Sequence, residues 1–291
     1  MDNPELSVVI PAHNEEKNIA RTVAELAEAL EKESIAYEII AVNDNSSDGT
    51  QEVIASLAQD NSRIRTINRT PPGGFGRAIR DGLALVTGEV VVICMADCSD
   101  DARDVVAYYR KIQEGYDCVF GSRFVAGSQV LHYPRVKLMM NRLTNRLIQV
   151  LFWTRQNDMT NAFKAYRTHV IRACGPYHAC HFNITIEMSI SALIHRYSIA
   201  TIPIRWYGRT WGSSKLRLRA MGRRYLATLL KLFFENMLIA DDLMTERLAQ
   251  QPKAEKEAAS QAHRLDSLER RLKALEEATK QGPSGERGGR K

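Results

Sequence analysis

Short apolar runs alternate with amphipathic stretches from Leu6 to Gly121. Leu6–Ile10, Glu38–Val42, Ile64–Ile67, Val90–Cys94 and Asp117–Gly121 are runs of strand length and β-branched composition. Between them apolar residues recur at helical spacing, as in Ile19, Val23, Leu26 and Leu30, or Ile79, Leu83 and Val86. Strands separated by helices predict βαβ units and a mainly parallel sheet, the α/β class. Helix starts are expected at Asn14, with Glu15 and Glu16 in the first turn, at Ser47 or Asp48, and at Asp100, because short polar side chains cap orphan backbone N–H groups.

Beyond Arg123 the spacing changes. Val136–Phe152 reads as a helix, Phe163–Tyr166 as a short apolar segment, Ile184–Ile194 as a buried helix and Ile199–Ile204 as a strand. Leu216–Leu243 reads as an amphipathic helix with a basic start, and Pro252 closes that region. Leu265, Leu268, Leu272 and Leu275 repeat at heptad spacing, either a short coiled-coil seam or a helix docking its leucines on the body. Gly282–Lys291 has the Gly- and Arg-rich composition of a chain without a core. The expected organisation is a domain over 1–218, an interfacial helix over 219–250 and a helical tail over 251–291.

Composition narrows the class. The chain has 291 residues, 44% of them hydrophobic, enough for a sizeable core. Its net charge of +6 is unevenly placed: residues 205–224 hold Arg205, Arg209, Lys215, Arg217, Arg219, Arg223 and Arg224 and no acid. That points to an anionic partner, phosphate or lipid surface. No recognisable nucleic-acid module accompanies the basic arm, so nucleic acid is not expected as a partner. No window reaches the roughly 18–20 apolar residues that span a bilayer, and the N-terminus lacks a secretory pattern. A cytoplasmic protein, at most peripheral at the inner membrane face, is expected. The five cysteines sit in apolar contexts, as reduced thiols do, and Cys174, His178, Cys180 and His181 match no common zinc spacing.

The candidate chemistry lies where strands should end. Leu6–Ile10 runs into Pro11-Ala-His-Asn-Glu15, Glu38–Val42 into Asn43-Asp44-Asn45-Ser46, and Val90–Cys94 into Met95-Ala-Asp97-Cys-Ser99-Asp100-Asp101. Open α/β sheets bind ligands outside the carboxyl ends of their strands, so these loops should share one crevice suited to a divalent metal and a ribose. A dinucleotide fold is excluded, since no Gly-x-Gly-x-x-Gly follows the first strand.

These motifs, together with Gly121-Ser-Arg123, Asp158-Met-Thr-Asn-Ala-Phe-Lys164 and Arg209-Thr-Trp-Gly-Ser-Ser-Lys215, resemble the family 2 glycosyltransferases of GT-A fold. Within them the pattern is similar to the dolichol-phosphate and polyprenol-phosphate mannose synthases, over about residues 5–218. The resemblance implies that Pro11, Ala12, Glu15, Asp44 and Ser46 meet the nucleotide and that Arg209 and Lys215 close over its phosphates. It implies that Asp97, with Ser99, holds Mg2+ or Mn2+, although Met95 stands where the family's Asp-x-Asp motif begins. Arg123, Lys137 and Arg142 would hold an acceptor phosphate, Asp158 would lie at the reaction centre beside catalytic Asp97 and Arg123, and Glu187 is a further acid.

The implied activity is inverting transfer of mannose or glucose from a nucleotide diphosphate sugar, GDP-mannose or UDP-glucose, to a polyprenyl phosphate. Leu216–Leu243 would rest at the membrane interface, and the C-terminal helix would support a homo-oligomer. Two alternatives stay open: the same donor chemistry with a soluble glycan, small-molecule or protein acceptor, and a metal-less nucleotide-binding scaffold.

Overall fold

A computed structural model describes residues 4–208 and 222–242. The elements run β1 (Leu6–Ala12), α1 (Ile19–Lys32), β2 (Tyr37–Asp44), α2 (Thr50–Asp60), β3 (Ile64–Arg69), α3 (Phe75–Ala84), β4 (Val90–Ile93), α4 (Ala102–Gln113) and β5 (Cys118–Ser122). They continue with β6 (Gln129–Leu131), α5 (Arg135–Phe152), β7 (Lys164–Arg167), α6 (Thr168–Cys174), α7 (Ile184–Ile194), β8 (Ile199–Pro203) and β9 (Arg205–Tyr207). Residues 222–242 form a further helix.

Seven strands make one sheet in the order β3-β2-β1-β4-β7-β5-β8, and β6 pairs with β9 in a second, small sheet. All pairings in the large sheet are parallel except those of β7, which runs antiparallel to both β4 and β5. The reason is topological. Phe120 near the end of β5 lies opposite Lys164 at the start of β7, so the chain between them returns at the crevice end and must run back from there.

Strand side chains alternate between two buried faces. Leu6, Val8 and Ile10 join Ile19, Val23, Leu26 and Leu30 of α1 and Val105 and Tyr108 of α4 in one core cluster. The four α1 side chains are at most 2% exposed, and complete burial of each contributes about 1.5–3 kcal/mol. On the other face Gly82 of α3 approaches so closely that a Cβ there would lie 2.5 Å from Val9 Cγ1. Glycine is therefore required for helix–sheet contact.

Helix starts differ from the sequence reading. Asn14 sits outside α1 in the left-handed region at φ 56°. The start of α4 is capped by Asp101, whose side chain accepts from Arg103 N, rather than by Asp100. α2 starts at Thr50 after Gly49 rather than at Ser47 or Asp48, and Asp48 accepts from Thr50 N at 3.1 Å. Asn14 is instead tied to Ser46 and Ser47 of the neighbouring loop, a partnership that local spacing does not encode.

Two compact units divide the chain, Met1–Asn236 and Met237–Lys291. The first extends past the boundary expected near 218: Leu229 and Leu232 are buried, and Asn183 Nδ2 donates to Thr228 Oγ1 at 2.9 Å. The beginning of the helix over 222–242 is thus part of the body.

Candidate active site

The loops after β1, β2 and β4 converge on a cleft of about 1090 Å³. The first two are stitched together. Asn14 N donates to Ser46 Oγ at 3.0 Å and Ser47 N to Asn14 Oδ1 at 2.8 Å, while Glu15 N donates to Thr50 Oγ1 at 2.8 Å and Gly49 N to Glu16 Oε2 at 2.7 Å. Left-handed Asn14 and Asn45 let both loops turn without a bulky side chain in the way. Pro11, Ala12 and Glu15 line the cleft as the sequence suggested, and so does Asp44. Ser46 does not line it; its hydroxyl is spent on the loop stitch.

Asp44 is held from two sides. Arg69 Nη1 donates to its Oδ1 and Gly74 N to its Oδ2 at 2.6 Å, and Arg69 Nε also reaches Asp81 Oδ2 at 2.5 Å. A carboxylate so fixed presents its remaining lone pairs in one direction, as base or ribose recognition demands.

The β4 loop brings Met95, Asp97 and Ser99 to the cleft. Cys98, left-handed at φ 56°, lets Ser99 N turn back onto Asp97 Oδ1 at 3.1 Å. Behind them Asp100 Oδ2 accepts from Met95 N at 2.9 Å; its Oδ1 is buried without a partner. Burial raises the Asp100 carboxyl to about 8, against the Met95 N–H and with the help of the Asp97 charge.

This donor set is oxygen-only, which suits a hard cation, and the partnerless Asp100 Oδ1 lies behind it. Among the described residues no group of three His, Cys, Asp or Glu is placed to hold a metal. Magnesium takes one or two carboxylates and completes its shell with water and substrate phosphate, so Asp97 and Ser99 fit such an ion only in company with a phosphate ligand.

Beside the β4 loop the cleft is cationic and aromatic: Asp100 bridges to Trp206, and Tyr207 N donates to Ser99 O at 2.9 Å. Arg123 and Lys137 line the cleft with Asn141, Trp206 and His132. Arg123 is engaged by Asp158: Nε reaches Oδ2 at 2.8 Å, Nη2 reaches Oδ1 at 2.7 Å and the Arg123 N–H reaches Oδ2 at 3.0 Å. Burial opposes the guanidinium charge, but Asp158 outweighs it and holds the pKa above the ordinary arginine value. Nη1 meets Tyr133 OH at 3.1 Å, and the guanidinium lies 5.3 Å from the Tyr133 ring centre and 5.9 Å from that of Trp206. Lys137 Nζ lies 5.8 Å from the Trp206 ring centre.

Asp158 does not line the cleft, and both its oxygens accept from Arg123. Arg142 stands away from the cleft, its guanidinium 4.6 Å from the Phe124 ring centre. Arg209 and Lys215 lie outside the described residues, as do the heptad leucines. Lys164 is wholly buried, donating to Met159 O at 2.8 Å and to Ser189 Oγ at 2.6 Å; burial lowers its pKa to about 7.

Sequence reasoning missed Trp206 and Tyr225 of the cleft lining, Tyr133 that meets Arg123, and the His181–Phe182 segment that faces Gly74. Trp206 was visible only as part of a basic arm, and nothing local to Tyr225 marks a residue whose helix returns to the cleft.

A seven-stranded, mostly parallel sheet with helices on both faces and acidic loops at its carboxyl edge is the GT-A arrangement of glycosyltransferases. The chain belongs to glycosyl transferase family 2, whose model matches residues 7–175. It is 27% identical over 215 residues to the polyprenol monophosphomannose synthase of Mycolicibacterium smegmatis, covering 72% of this chain and 80% of that one. Its fold is similar to glucosyl-3-phosphoglycerate synthase from Mycobacterium tuberculosis in complex with UDP, at TM-score 0.62 and 21% identity over 80% of each chain. The same synthase has been crystallised with Mn2+, UDP and phosphoglyceric acid, again at TM-score 0.62 and 21% identity, covering 80% of this chain and 79% of that one.

Proposed function

We propose that this glycosyltransferase moves a hexose, mannose or glucose, from a nucleotide diphosphate sugar to a polyprenyl phosphate with inversion. The observation that carries the reading is one cleft lined both by the oxygen ligands Asp97 and Ser99 and by the cations Lys137 and Arg123. The relative from Mycolicibacterium smegmatis supports a polyprenol acceptor. An acceptor phosphate oxygen attacks the anomeric carbon from the face opposite the leaving group. The bond from that carbon to the diphosphate breaks, and the nucleoside diphosphate departs with the electron pair.

A bound Mg2+ or Mn2+ would neutralise the departing diphosphate. Asp97 and Ser99 are the residues to hold it; Pro11, Ala12, Glu15 and Asp44 position the nucleoside, and Arg209 and Lys215 are proposed to meet its phosphates. Lys137 presents the acceptor anion, and Arg123 supports it while fixed by Asp158.

The bidentate pairing of Asp158 favours a phosphate acceptor. A sugar hydroxyl needs a general base within hydrogen-bond reach, whereas a phosphate monoester, with a second pKa near ~6, already carries a nucleophilic anion at neutral pH.

Delivery of a lipid-borne acceptor also needs a surface. On α5, Val136, Met139, Leu143, Leu147 and Val150 are exposed at helical spacing and Trp153 at its end is 96% exposed. Arg135, Arg142 and Arg146 flank them. Leu226, Leu230 and Phe234 of the helix over 222–242 are exposed as well. An apolar stripe edged by cations rests on anionic lipid, and α5 carries Lys137 and Asn141 into the cleft on its other side. No helix of the described residues is long and apolar enough to cross a membrane, and the proposed site of action is a membrane surface on its cytoplasmic side. The test is a donor screen with GDP-mannose and UDP-glucose against polyprenyl phosphate and against phosphoglycerate. Lipid-linked product supports the reading, and product on the soluble acceptor alone replaces it with the soluble-acceptor alternative.

A further inference from the structure

Glu187, on α7, is 2% exposed and does not line the cleft, so it is not placed to exchange protons with substrate. Its carboxylate gathers donors. Ala179 N donates to Oε2 at 2.8 Å, His178 N lies 3.1 Å from Oε2 and 3.2 Å from Oε1, and Lys231 Nζ, from the helix over 222–242, donates to Oε1 at 2.9 Å. A buried carboxylate with one cation and two backbone N–H groups is fully satisfied, and removing the cation leaves its charge uncompensated.

The segment that Glu187 grips leads directly to the cleft. Cys180 O accepts from Gly76 N at 3.1 Å, His181 and Phe182 line the cleft, and Phe182 stacks on Phe75 with ring centres 4.3 Å apart. Contact here is too close for side chains: a Cβ on Gly74 would stand 2.4 Å from Cys180 O, and one on Gly76 2.4 Å from Ala179 O. Gly74 N in turn donates to Asp44 Oδ2. On the other side, Tyr225 OH donates to Phe182 O at 3.4 Å. A continuous set of contacts therefore joins Lys231 to the carboxylate proposed to read the nucleoside.

We propose that Glu187, locked by Lys231, is a positioning residue for the nucleoside end of the donor site, fixing residues 178–182 as a wall against the Gly73–Phe75 loop and Asp44. The inference rests on the donor-binding reading above. Its consequence is that a residue outside the cleft sets donor affinity while acceptor use is untouched.

The test is calorimetric titration of UDP and of GDP into the full chain and into Glu187→Gln, Lys231→Met, Lys231→Arg and the double variant Glu187→Gln/Lys231→Met. Glutamine keeps an oxygen for Ala179 N but loses the ion pair. Each of the two deleting variants should weaken the better-bound nucleotide about tenfold, the size of coupling seen between contacting side chains. The double variant should be no worse than the worse single, and Lys231→Arg should bind like the parent. In turnover assays donor KM should rise with acceptor KM unchanged.

Unchanged nucleotide affinity with a lowered Tm, or losses that multiply in the double variant, would overturn the positioning role while leaving the donor site intact. A parent protein that binds neither nucleotide would overturn both readings.

Discussion

Arg123 shows how a residue's surroundings change its role. Its sequence context marks a phosphate anchor, but in the fold its side chain is 5% exposed and bidentate to Asp158. Arg123→Ala strands a buried carboxylate, a change that costs about 3–5 kcal/mol. The expected outcome is a fall in Tm accompanying any loss of turnover, read by calorimetry beside the assay. Lys137→Ala is the cleaner probe of the acceptor: its Tm should stay near that of the parent while acceptor KM rises about ten- to a hundredfold, the range of a hydrogen bond to a charged group. A donor KM that moved instead would relocate Lys137 to the other substrate.

Lys164 gives a pH signature. The unfolded chain holds its proton to about 10.4, the folded protein releases it near 7, so between those values the native state binds fewer protons. Stability therefore rises with pH from 7 to about 10 on this group's account. Relative to Lys164→Met, the parent should gain Tm across that window, and a constant difference would show the buried amine is not neutralised.

At the scale of elements, the strands of the first half and the helices α1, α3 and α5 were legible because each carries its own hydrophobic period. β7 was legible as an apolar segment and not as an antiparallel strand, since its direction depends on where the chain re-enters the sheet. β6 and β9 are three-residue strands that exist through each other, with no period to read. The helix over 222–242 looked wholly interfacial as part of an amphipathic stretch, Leu216–Leu243, with a basic start. Leu229 and Leu232, equally visible, face the body instead. The α5 stripe predicts that Leu143→Glu and Val150→Glu reduce sedimentation with vesicles containing anionic lipid while Tm changes by little, as expected of surface substitutions. Equal sedimentation of parent and variants would place the lipid contact elsewhere.

For the molecule as a whole, the acidic edge of the sheet was written in three loops that follow three apolar runs, which is why Pro11, Ala12, Glu15, Asp44, Asp97 and Ser99 all reach one cleft. What the sequence could not display was the partnership of residues far apart in the chain: Ser46 with Asn14, Asp158 with Arg123, Glu187 with Lys231. Each takes a polar side chain that looks available for substrate and uses it to hold the walls of the cleft in place.

The central claim is that Asp97 supports departure of a nucleoside diphosphate while Lys137 and Arg123 in the same cleft present a lipid phosphate. Its most direct test is transfer of labelled hexose from GDP-mannose and from UDP-glucose to polyprenyl phosphate in the presence of Mg2+ or Mn2+, with the parent and with Asp97→Ala. The account predicts an organic-phase product from one donor with the parent and none with Asp97→Ala. Undiminished product with Asp97→Ala, or label reaching only soluble acceptors with the parent, would contradict it.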